Sequence, residues 1–403
     1  DTTAAARSFA RAADRALSAH ATREAAALAG AGLALDPRAP VLGDLLTVRA
    51  EAGAVHGDPA AITDLRAALA VTPPGPTRSR RRSRLAMLTF GAQDPRRAAD
   101  LVELAIVEAG HDDAARAVAL ETAAILDMNL DLPGRAEERA ESALALYRRL
   151  GDDRGVARIL DGRAMATFLD GRITEGVAVF GRVAQLFTDA GELLQVVTPR
   201  STRGHGLVFL GRPAEGLAEA SAALALARDL DAPDNQAYAL WHRSEALSAL
   251  GLADEAEAGA REALTIARGL DHRGWTATAH RARGIALTTR GELDGAAEAF
   301  AASAAAAGES LTLFAAWAAA RAALVAVARG ELRGVDGLVA RALGVGPPLG
   351  HYEARLAEVE LLAALDDPGT PERAAAALAQ ARDGGHVVSA PRLAEMAASQ
   401  GFR

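Results

Sequence analysis

Residues 235–270 read NQAYALWHRSEALSAL and then GLADEAEAGAREALTIARGL. In the first part, Leu240, Ser244 and Leu247 recur at the spacing of one face of an α-helix. Gly251 interrupts this pattern, and a second helical stretch rich in Ala and Leu follows. Glycine suits the left-handed backbone conformation that commonly ends a helix. The stretch therefore predicts two helices joined by a tight turn.

The same turn recurs along the chain with a fixed period. Glycines stand forty residues apart at Gly171, Gly211, Gly251 and Gly291, and Gly330 continues the series one residue early. Weaker turns at a spacing of about 36 to 40 residues occur near His20, Gly57-Asp58-Pro59, Asp94-Pro95, Pro133-Gly134 and Asp367-Pro368. No alternating strand pattern of any length competes with this interpretation. We predict an all-α protein, a right-handed α-solenoid of about ten stacked helical hairpins.

A small residue recurs in the middle of the buried face of each first helix. The equivalent positions are Ala164, Gly204, Ser244 and Gly284. Small side chains let two helices approach closely. We therefore expect each hairpin to pack tightly onto the next at these positions.

Composition supports helices and excludes several kinds of chemistry. Ala and Leu carry most of the 50% apolar share, and aromatic residues make up only 4%, which favours helices over strands. The chain has no cysteine, so disulfides, thiolate nucleophiles and cysteine-ligated zinc are excluded. All 44 basic residues are arginine, which excludes a phosphate-binding or Schiff-base lysine. The net charge of −8 argues against non-specific binding to nucleic acid.

The chain is expected to have three parts. We predict degenerate hairpins at 1–76, the regular array at 77–383 and a capping helix at 384–403. The sequence has no charge-free apolar run of about 18 residues, so no membrane span is expected, and no signal peptide is visible. We expect a cytoplasmic location. The chain opens at Asp1 without Met, so we expect a part of something longer or a processed product.

The repeat resembles a known family. A small residue at 244 together with Leu247, Gly251, Ala256 and Ala263 matches the tetratricopeptide repeat consensus. The period and the ending Ala-Leu-x-x-Ala-Arg-x-Leu-Asp resemble the longer repeats of large bacterial signalling proteins related to the maltose activator and to antibiotic-pathway regulators. That resemblance implies a sensor or docking arm joined to a nucleotide-binding switch and often to a DNA-binding domain. Few large aromatic residues stand at the usual positions of the first helix, which departs from the consensus.

Four arginines form a ladder along the repeats. Arg163, Arg203, Arg243 and Arg283 lie forty residues apart on the flank of the buried face. Charges in such a place need partners. One interpretation is structural, with Glu175, Glu215 and Glu255 as the expected partners. The other is that the ladder binds an anionic ligand or an acidic partner.

A second set of residues on the first helices is the predicted contact surface. Tyr238, Trp241, His242 and Glu245 face away from the packed side, and the equivalent positions hold Ser201, His205, Arg281 and Ile285. In solenoids of this type the first helices line the concave face, so this set indicates a groove, although Trp241 and Tyr238 also suit a junction between hairpins. Trp and Arg often carry interface energy. The residues predicted to contact a ligand or partner are Tyr238, Trp241, Glu245, His205, Arg281, Arg203, Arg243 and Arg283.

A basic run follows the Pro-Gly stretch at 72–76. Its members are Arg78, Arg80, Arg81, Arg82 and Arg84. It suits either a contact with nucleic acid or an acidic partner, or a solvated helix start. We favour the solvated helix start because no aromatic stacking groups surround the run.

Neither an enzyme site nor a cofactor is predicted. The nine histidines show no metal-ligand spacing, and no nucleophile triad or glycine-rich phosphate loop appears. Helical glycoside hydrolases need paired carboxylates in an aromatic-rich cleft, whereas carboxylates here recur at turns and caps.

We therefore expect a non-enzymatic regulatory binding domain of a multidomain bacterial signalling or transcription-regulatory protein. It would hold a protein, a peptide or a small effector, with no direct contact to nucleic acid or membrane. The alternative is a constitutive assembly scaffold that binds a partner or forms a homo-oligomer through its Ala-rich helix at 295–307.

Overall fold

The computed structural model describes residues 2–91, 94–130 and 132–398. Throughout these residues the chain forms α-helices joined by short turns, with no β-strand. The helices gather into two compact units, Asp1–Arg163 and Ala164–Arg403. The helices α1 to α20 follow in the order expected for ten hairpins, so the predicted all-α repeat fold is confirmed. No helix in the described parts of the chain is long and apolar enough to cross a membrane.

The first unit holds eight helices and most of a ninth. Their bounds are α1 Thr2–Ser18, α2 Thr22–Leu33, α3 Val41–Val55, α4 Ala60–Ala70, α5 Pro76–Gly91, α6 Pro95–Ala109, α7 Asp113–Asn129, α8 Pro133–Leu150 and α9 Asp153–Leu169. The last residues of α9 belong to the second unit. From α1 to α8, each helix packs on the one before it in the chain, and α1 also packs on α3, and α5 on α7.

The second unit holds the regular repeats. Its helices are α10 Ile173–Asp189, α11 Leu193–Phe209, α12 Pro213–Asp229, α13 Pro233–Ala249, α14 Ala253–Gly269, α15 Arg273–Arg290, α16 Leu293–Ala307, α17 Thr312–Ala328, α18 Val335–Gly344, α19 Pro348–Ala364, α20 Thr370–Gly384 and α21 Ala390–Ala398. A short 3₁₀ turn, Val387–Ser389, precedes α21. Helices α11, α13, α15, α17 and α19 form one row in which each packs on the next. We call this row the inner helices.

The periodic glycines end helices as predicted. Gly171, Gly211, Gly251, Gly291 and Gly330 all have positive φ angles, between 73° and 84°. A side chain at such a backbone angle is strained, and glycine avoids that strain. The turns between hairpins use Asp231 and Asp271 for the same conformation, with φ of 47° and 51°, because aspartate tolerates it better than most residues.

The small positions do pack closely, but at Gly204 and Gly284 the close contact is between the two helices of one hairpin and not, as expected, with the next hairpin. A Cβ atom on Gly204 would lie 2.8 Å from the carbonyl oxygen of Gly216 on the paired helix. A Cβ atom on Gly284 would lie 2.6 Å from the ring of Phe300. Neither distance leaves room for a methyl group, so these glycines set how closely α11 approaches α12 and α15 approaches α16.

The basic run in α5 is an ion-paired helix surface in the first unit. Arg81 is buried and donates to Asp44 on α3 at 2.6 Å. Arg82 binds Glu108 on α6 through two hydrogen bonds of 2.8 and 2.9 Å. The remaining pairs are Arg78 with Glu108, Arg80 with Asp112 and Arg84 with Glu51. The expectation of a solvated helix start is therefore wrong, because carboxylates of the neighbouring helices pair with these arginines.

One hydrophobic core runs through the second unit. Among its large members are Phe168, Phe180, Trp241, Trp317 and Tyr352, which lie on α9, α10, α13, α17 and α19. These side chains lie on elements far apart in the chain. The inner helices therefore turn their facing sides toward one another.

The end of the second unit contacts its beginning. The Tyr352 hydroxyl group donates to the carbonyl oxygen of Gly171 at 2.9 Å, although 181 residues separate them. The His386 ring stacks on Tyr352, with centroids 5.1 Å apart, and also lies 4.8 Å from the ring of Phe209 on α11. We call these interactions of Tyr352 and His386 the closing contact. The row of inner helices is thereby closed on itself.

Candidate functional site

The predicted contact residues lie in the interior of the second unit. Tyr238, Trp241, Glu245, His205 and Arg281 are between 1% and 8% exposed. They face one another across the inner helices and do not line an open groove. Their predicted contact with a ligand stays a prediction, and it requires a conformation in which the inner helices separate.

An ionic network joins four of the inner helices. Arg281 on α15 donates from Nε to Glu245 on α13 at 2.9 Å. Its two terminal nitrogens donate to the two carboxylate oxygens of Glu353 on α19, at 2.7 and 2.8 Å. Arg321 on α17 donates to the same carboxylate. Paired, parallel bonds of this kind are the strongest arrangement between a guanidinium and a carboxylate.

Glu245 also extends the network to the remaining inner helix. Its second oxygen lies 3.1 Å from Nε2 of His205 on α11. His205 and Glu245 stand forty residues apart, at equivalent positions of successive repeats. Stacking of the repeats therefore brings the two side chains together, as the periodicity indicates.

Aromatic rings surround the ionic network. The ring of His205 lies 4.9 Å from that of Trp241 and 5.8 Å from that of Trp317. The guanidinium carbon of Arg281 lies 4.6 Å from the centroid of Trp317, which is a cation–π geometry. We call the set made by His205, Trp241, Glu245, Arg281, Trp317, Arg321 and Glu353 the inner cluster.

The opposite charges of the inner cluster stabilise one another and so shift the pKa values of its members. Burial alone would raise the pKa of Glu245, but Arg281 and His205 together lower that pKa to about 2. Burial likewise opposes ionisation of Glu353, yet Arg281 and Arg321 hold its pKa far below the usual range. The pKa of Arg281 is raised, because the two carboxylates outweigh its own burial. Both carboxylates are therefore ionised at neutral pH.

Two neighbouring histidines are kept neutral. Burial lowers the pKa of His386 to about 4. Burial and the adjacent His205 lower the pKa of His242, whose Nδ1 lies 2.7 Å from the hydroxyl of Ser201. These rings contribute hydrogen bonding and packing at neutral pH, and no charge.

Four buried nitrogen atoms in and beside the inner cluster make no hydrogen bond within the described residues. They are Nε1 of Trp241, Nε1 of Trp317, Nε of Arg321 and Nε2 of His386, which have no hydrogen-bond partner within the described residues. A buried donor without a partner costs about 1–3 kcal/mol. Most buried polar groups in folded proteins have a partner, so a concentration of exceptions marks this interior as unusual.

The arginines of the ladder pair with side chains of the adjacent helices. Arg203 donates to Glu219 at 2.6 Å, Arg283 to Glu257 at 3.3 Å, and Arg163, in the first unit, to Glu137. Arg243 donates to the hydroxyl of Ser221 at 3.2 Å and has no carboxylate partner in the described parts of the chain. These pairs agree with the structural interpretation of the ladder. Binding of a ligand by the ladder stays a prediction.

The partners of the ladder differ from those expected. Glu175 and Glu215 bind Arg172 and Arg212, three residues before them in the same turns. The antiparallel hairpin places Arg203 level with the second turn of α12, one turn beyond Glu215. A carboxylate at Glu219 is therefore the one within reach.

A groove in the first unit was not predicted from the sequence. It has a volume of about 580 Å³, lies among α6, α7 and α8, and is lined by Arg116, Arg135, Arg139 and Arg149 together with Glu103 and Glu138. Arg139 is bound by Asp127 at 3.0 Å, and Arg149 by Asp113 at 2.6 Å. Its charges are largely balanced, so the groove does not indicate a strong anion site. Over the described residues, no group of three or more metal-ligating side chains occurs.

Comparisons with known proteins support the fold. No protein-family model matches the chain, and no curated protein matches it by sequence. A Rap protein complexed with Competence and Sporulation Factor is similar in structure, with a TM-score of 0.54 and 12% identity over 78% of this chain and 95% of that one. The apo form of RapI has a TM-score of 0.45 and 9% identity over 79% and 96%. Yeast Tom70 has a TM-score of 0.41 and 15% identity over 97% and 88%.

The fold likeness rests on the first of these structures. At 12% identity it shows that this chain has a helical-repeat fold of the tetratricopeptide-like kind.

Proposed function

We propose that this chain is a non-enzymatic binding domain that regulates a larger bacterial signalling or transcription-regulatory protein in the cytoplasm. It holds a peptide, a partner protein or a small effector among the inner helices of the second unit. The inner cluster is the observation that carries this proposal.

The inner cluster is more polar than a purely structural core requires. Well-packed apolar residues often stabilise a core as well as a buried ion pair does, because desolvating charges is costly. Perturbed ionisable groups concentrate at functional sites. Here Arg281, Glu245 and Glu353 are buried together, with two tryptophan N–H groups unused. A guest that accepts hydrogen bonds would satisfy donors that the chain leaves unpaired.

Regulation follows from the closing contact. In the conformation described, Tyr352 and His386 join the ends of the row of inner helices, and the inner cluster is sealed. A guest that binds only the separated helices shifts the population toward an open form. Because each hairpin contacts mainly its neighbours, that opening changes the curvature of the whole second unit and so signals occupancy.

The similar Rap protein supports this proposal by analogy. It was solved in complex with Competence and Sporulation Factor. A helical-repeat protein with a comparable arrangement thus holds another molecule. The resemblance of the repeat to signalling proteins points in the same direction.

Tryptophan fluorescence tests the proposal directly. The chain has three tryptophans, Trp241, Trp275 and Trp317, and all lie in the second unit. We would titrate the full chain with a library of short peptides and small metabolites, following fluorescence and melting temperature. A ligand is expected to change the emission and raise the melting temperature, and Trp241→Ala is expected to abolish both effects. Trp275→Phe is the matched control, because the indole N–H of Trp275 donates to Asp234 outside the inner cluster.

The second candidate function is a constitutive scaffold that binds a partner or itself. The sealed inner cluster favours it, because only outer surfaces are then available. A stable oligomer seen by light scattering, unaffected by Trp241→Ala, together with no ligand response, would support the scaffold and contradict the sensor.

A further inference from the structure

One carboxylate of the second unit is bound by two inner helices at once. Glu353 is 1% exposed and accepts hydrogen bonds from both Arg281 and Arg321. Its partner Arg281 lies on Trp317. Two guanidinium groups therefore bind one carboxylate: Arg281, which is buried on an aromatic ring, and Arg321, whose side chain is 27% exposed.

The two arginines and Glu353 occupy different positions within their helices. Arg281 and Arg321 lie forty residues apart, and they are the ninth residue of α15 and the tenth residue of α17. The equivalent position of α19 is Ala357, because Arg321 is the tenth residue of α17 and Ala357 the tenth of α19. Glu353 enters from one helical turn earlier. Helices α15 and α17 thus supply the two guanidinium groups, and α19 supplies the carboxylate that they bind.

Charge balance decides what could replace Glu353. The inner cluster holds two guanidinium groups and two carboxylates. If Glu353 withdraws, Arg321 loses its only carboxylate partner in the described residues, and Arg281 keeps only Glu245. Arg321 is 27% exposed, but Arg281 is fully buried, and the loss of one of the two carboxylates around a buried cation is costly. We therefore expect the group that replaces Glu353 to be an anion.

We propose that Glu353 is the chain's own occupant of a carboxylate-binding site formed by Arg281 and Arg321 on Trp317, and that an acidic peptide segment of a partner binds by replacing it. This inference rests on the proposed function and names the class of its ligand. The helix α19 is then a built-in competitor that keeps the domain closed until an acidic segment is present.

The position of α19 makes its release feasible. It begins the last helical hairpin before α21, and it packs on α17 and α18 from one side. It also packs on α20 and α21, which would move with it. The rest of the second unit holds it through the Arg281–Glu353 pair, through Tyr352 in the hydrophobic core and through the closing contact. Release therefore breaks the packing on α17 and α18 together with these contacts, while α11 to α17 can stay stacked on one another.

A peptide copy of α19 is the probe for this site. We would measure binding of a labelled synthetic peptide with the sequence of residues 348–364 to the full chain by fluorescence anisotropy. The Glu353→Gln protein is expected to bind this peptide about tenfold more tightly than the unchanged protein, because its own competitor is weakened. The Glu360→Gln protein is the matched control, since Glu360 lies on the same helix as Glu353 but pairs with the exposed Arg392. It should bind like the unchanged protein.

The carboxylate itself is tested in the peptide. A peptide carrying the Glu353→Gln change should bind the Glu353→Gln protein about tenfold more weakly than the unchanged peptide does. Equal binding of the two peptides, or equal affinity of the two proteins, would overturn the proposal. If Glu353→Gln does not fold, Tyr352→Phe takes its place. That change removes one hydrogen bond of the closing contact, and binding no tighter than that of the unchanged protein would also overturn the proposal.

The two proposals fail in different ways. A ligand that changes tryptophan emission but is uncharged and insensitive to Glu353 would contradict this inference and leave the sensor function intact. Binding of the 348–364 peptide that depends on Glu353, with no response to any molecule of the peptide and metabolite library, would support the carboxylate site and contradict the sensor.

Discussion

Arg281 lies over the ring of Trp317, with 4.6 Å between its guanidinium carbon and the ring centroid. The same guanidinium binds Glu245 and Glu353. The side chain of Arg281 thus contacts three inner helices besides its own, namely α13, α17 and α19. We expect the stability of the second unit to depend on this residue more than on any arginine of the ladder.

Replacement of Arg281 should be strongly destabilising. Arg281→Met keeps much of the length of the side chain but leaves two buried carboxylates short of a cation. Breaking a buried pair in this way costs about 3–5 kcal/mol of the free energy of unfolding. Arg283→Met, which removes a part-exposed pair with Glu257, should cost about 1 kcal/mol or less. Urea denaturation followed by tryptophan fluorescence measures both, and similar losses would contradict the assigned role of Arg281.

The buried His386 should make the fold sensitive to mild acid. Burial lowers its pKa from 6.5 to about 4, so the unfolded chain binds a proton more readily than the folded one. Its contribution to stability is therefore complete above pH 6.5 and is lost as the pH falls from 6.5 towards 4. The loss at pH 4 is about 3 kcal/mol.

His386→Phe keeps the stacking on Tyr352 and removes this titration. The variant should lose less stability than the unchanged protein between pH 7 and pH 4.5, as measured by urea denaturation at each pH. Below pH 4.5 both proteins should weaken, because Glu245, with its pKa lowered to about 2, must take up a proton. An identical pH profile for the two proteins above pH 4.5 would argue against a buried neutral His386.

A buried carboxyl in the first unit should destabilise the fold at high pH. Burial raises the pKa of Asp161 from 3.8 to about 7, and its Oδ1 has no partner in the described residues. The unfolded chain therefore ionises first, and stability is lost as the pH rises from 3.8 to 7. The side chain keeps partial exposure, so the expected gain from Asp161→Asn is about 2 kcal/mol at pH 8. Denaturant melts at pH 4 should show almost no gain.

The close approach of α11 and α12 should not tolerate a methyl group. Gly204→Ala places a Cβ atom 2.8 Å from a backbone oxygen, so a helix must move, at a cost of about 1–3 kcal/mol. Gly337→Ala in α18 meets no atom within 4 Å and should stabilise its helix by about 0.5–1 kcal/mol. Thermal melting of the two variants compares them, and a neutral Gly204→Ala would show that the packing is looser than described.

The sequence was sufficient to predict the helices and their order. The forty-residue series of glycines marks the turns, and the small residues at Gly204 and Gly284 mark close packing, because both are local requirements of the backbone. Residues that share a face of the inner helices, such as Glu245 and His205, could also be grouped from their spacing.

What the sequence could not predict was the closing of the row. Periodicity shows which side chains share a face, but the curvature of the row is the sum of small angles between hairpins. The inner cluster therefore became visible only in three dimensions. Arg321 could have been found, because it stands forty residues after Arg281. Glu353 could not, because the period shortens after Gly330 and the residue lies one turn out of register.

The hydrogen bond between Tyr352 and Gly171 also constrains how this protein can evolve. An open array can gain or lose a hairpin at little cost, since only its ends change. In the second unit an inserted or deleted hairpin would carry Tyr352 away from Gly171 and misalign every side chain that meets across the centre. The number of repeats between these two residues should therefore stay constant among its descendants, while their outer loops vary in length.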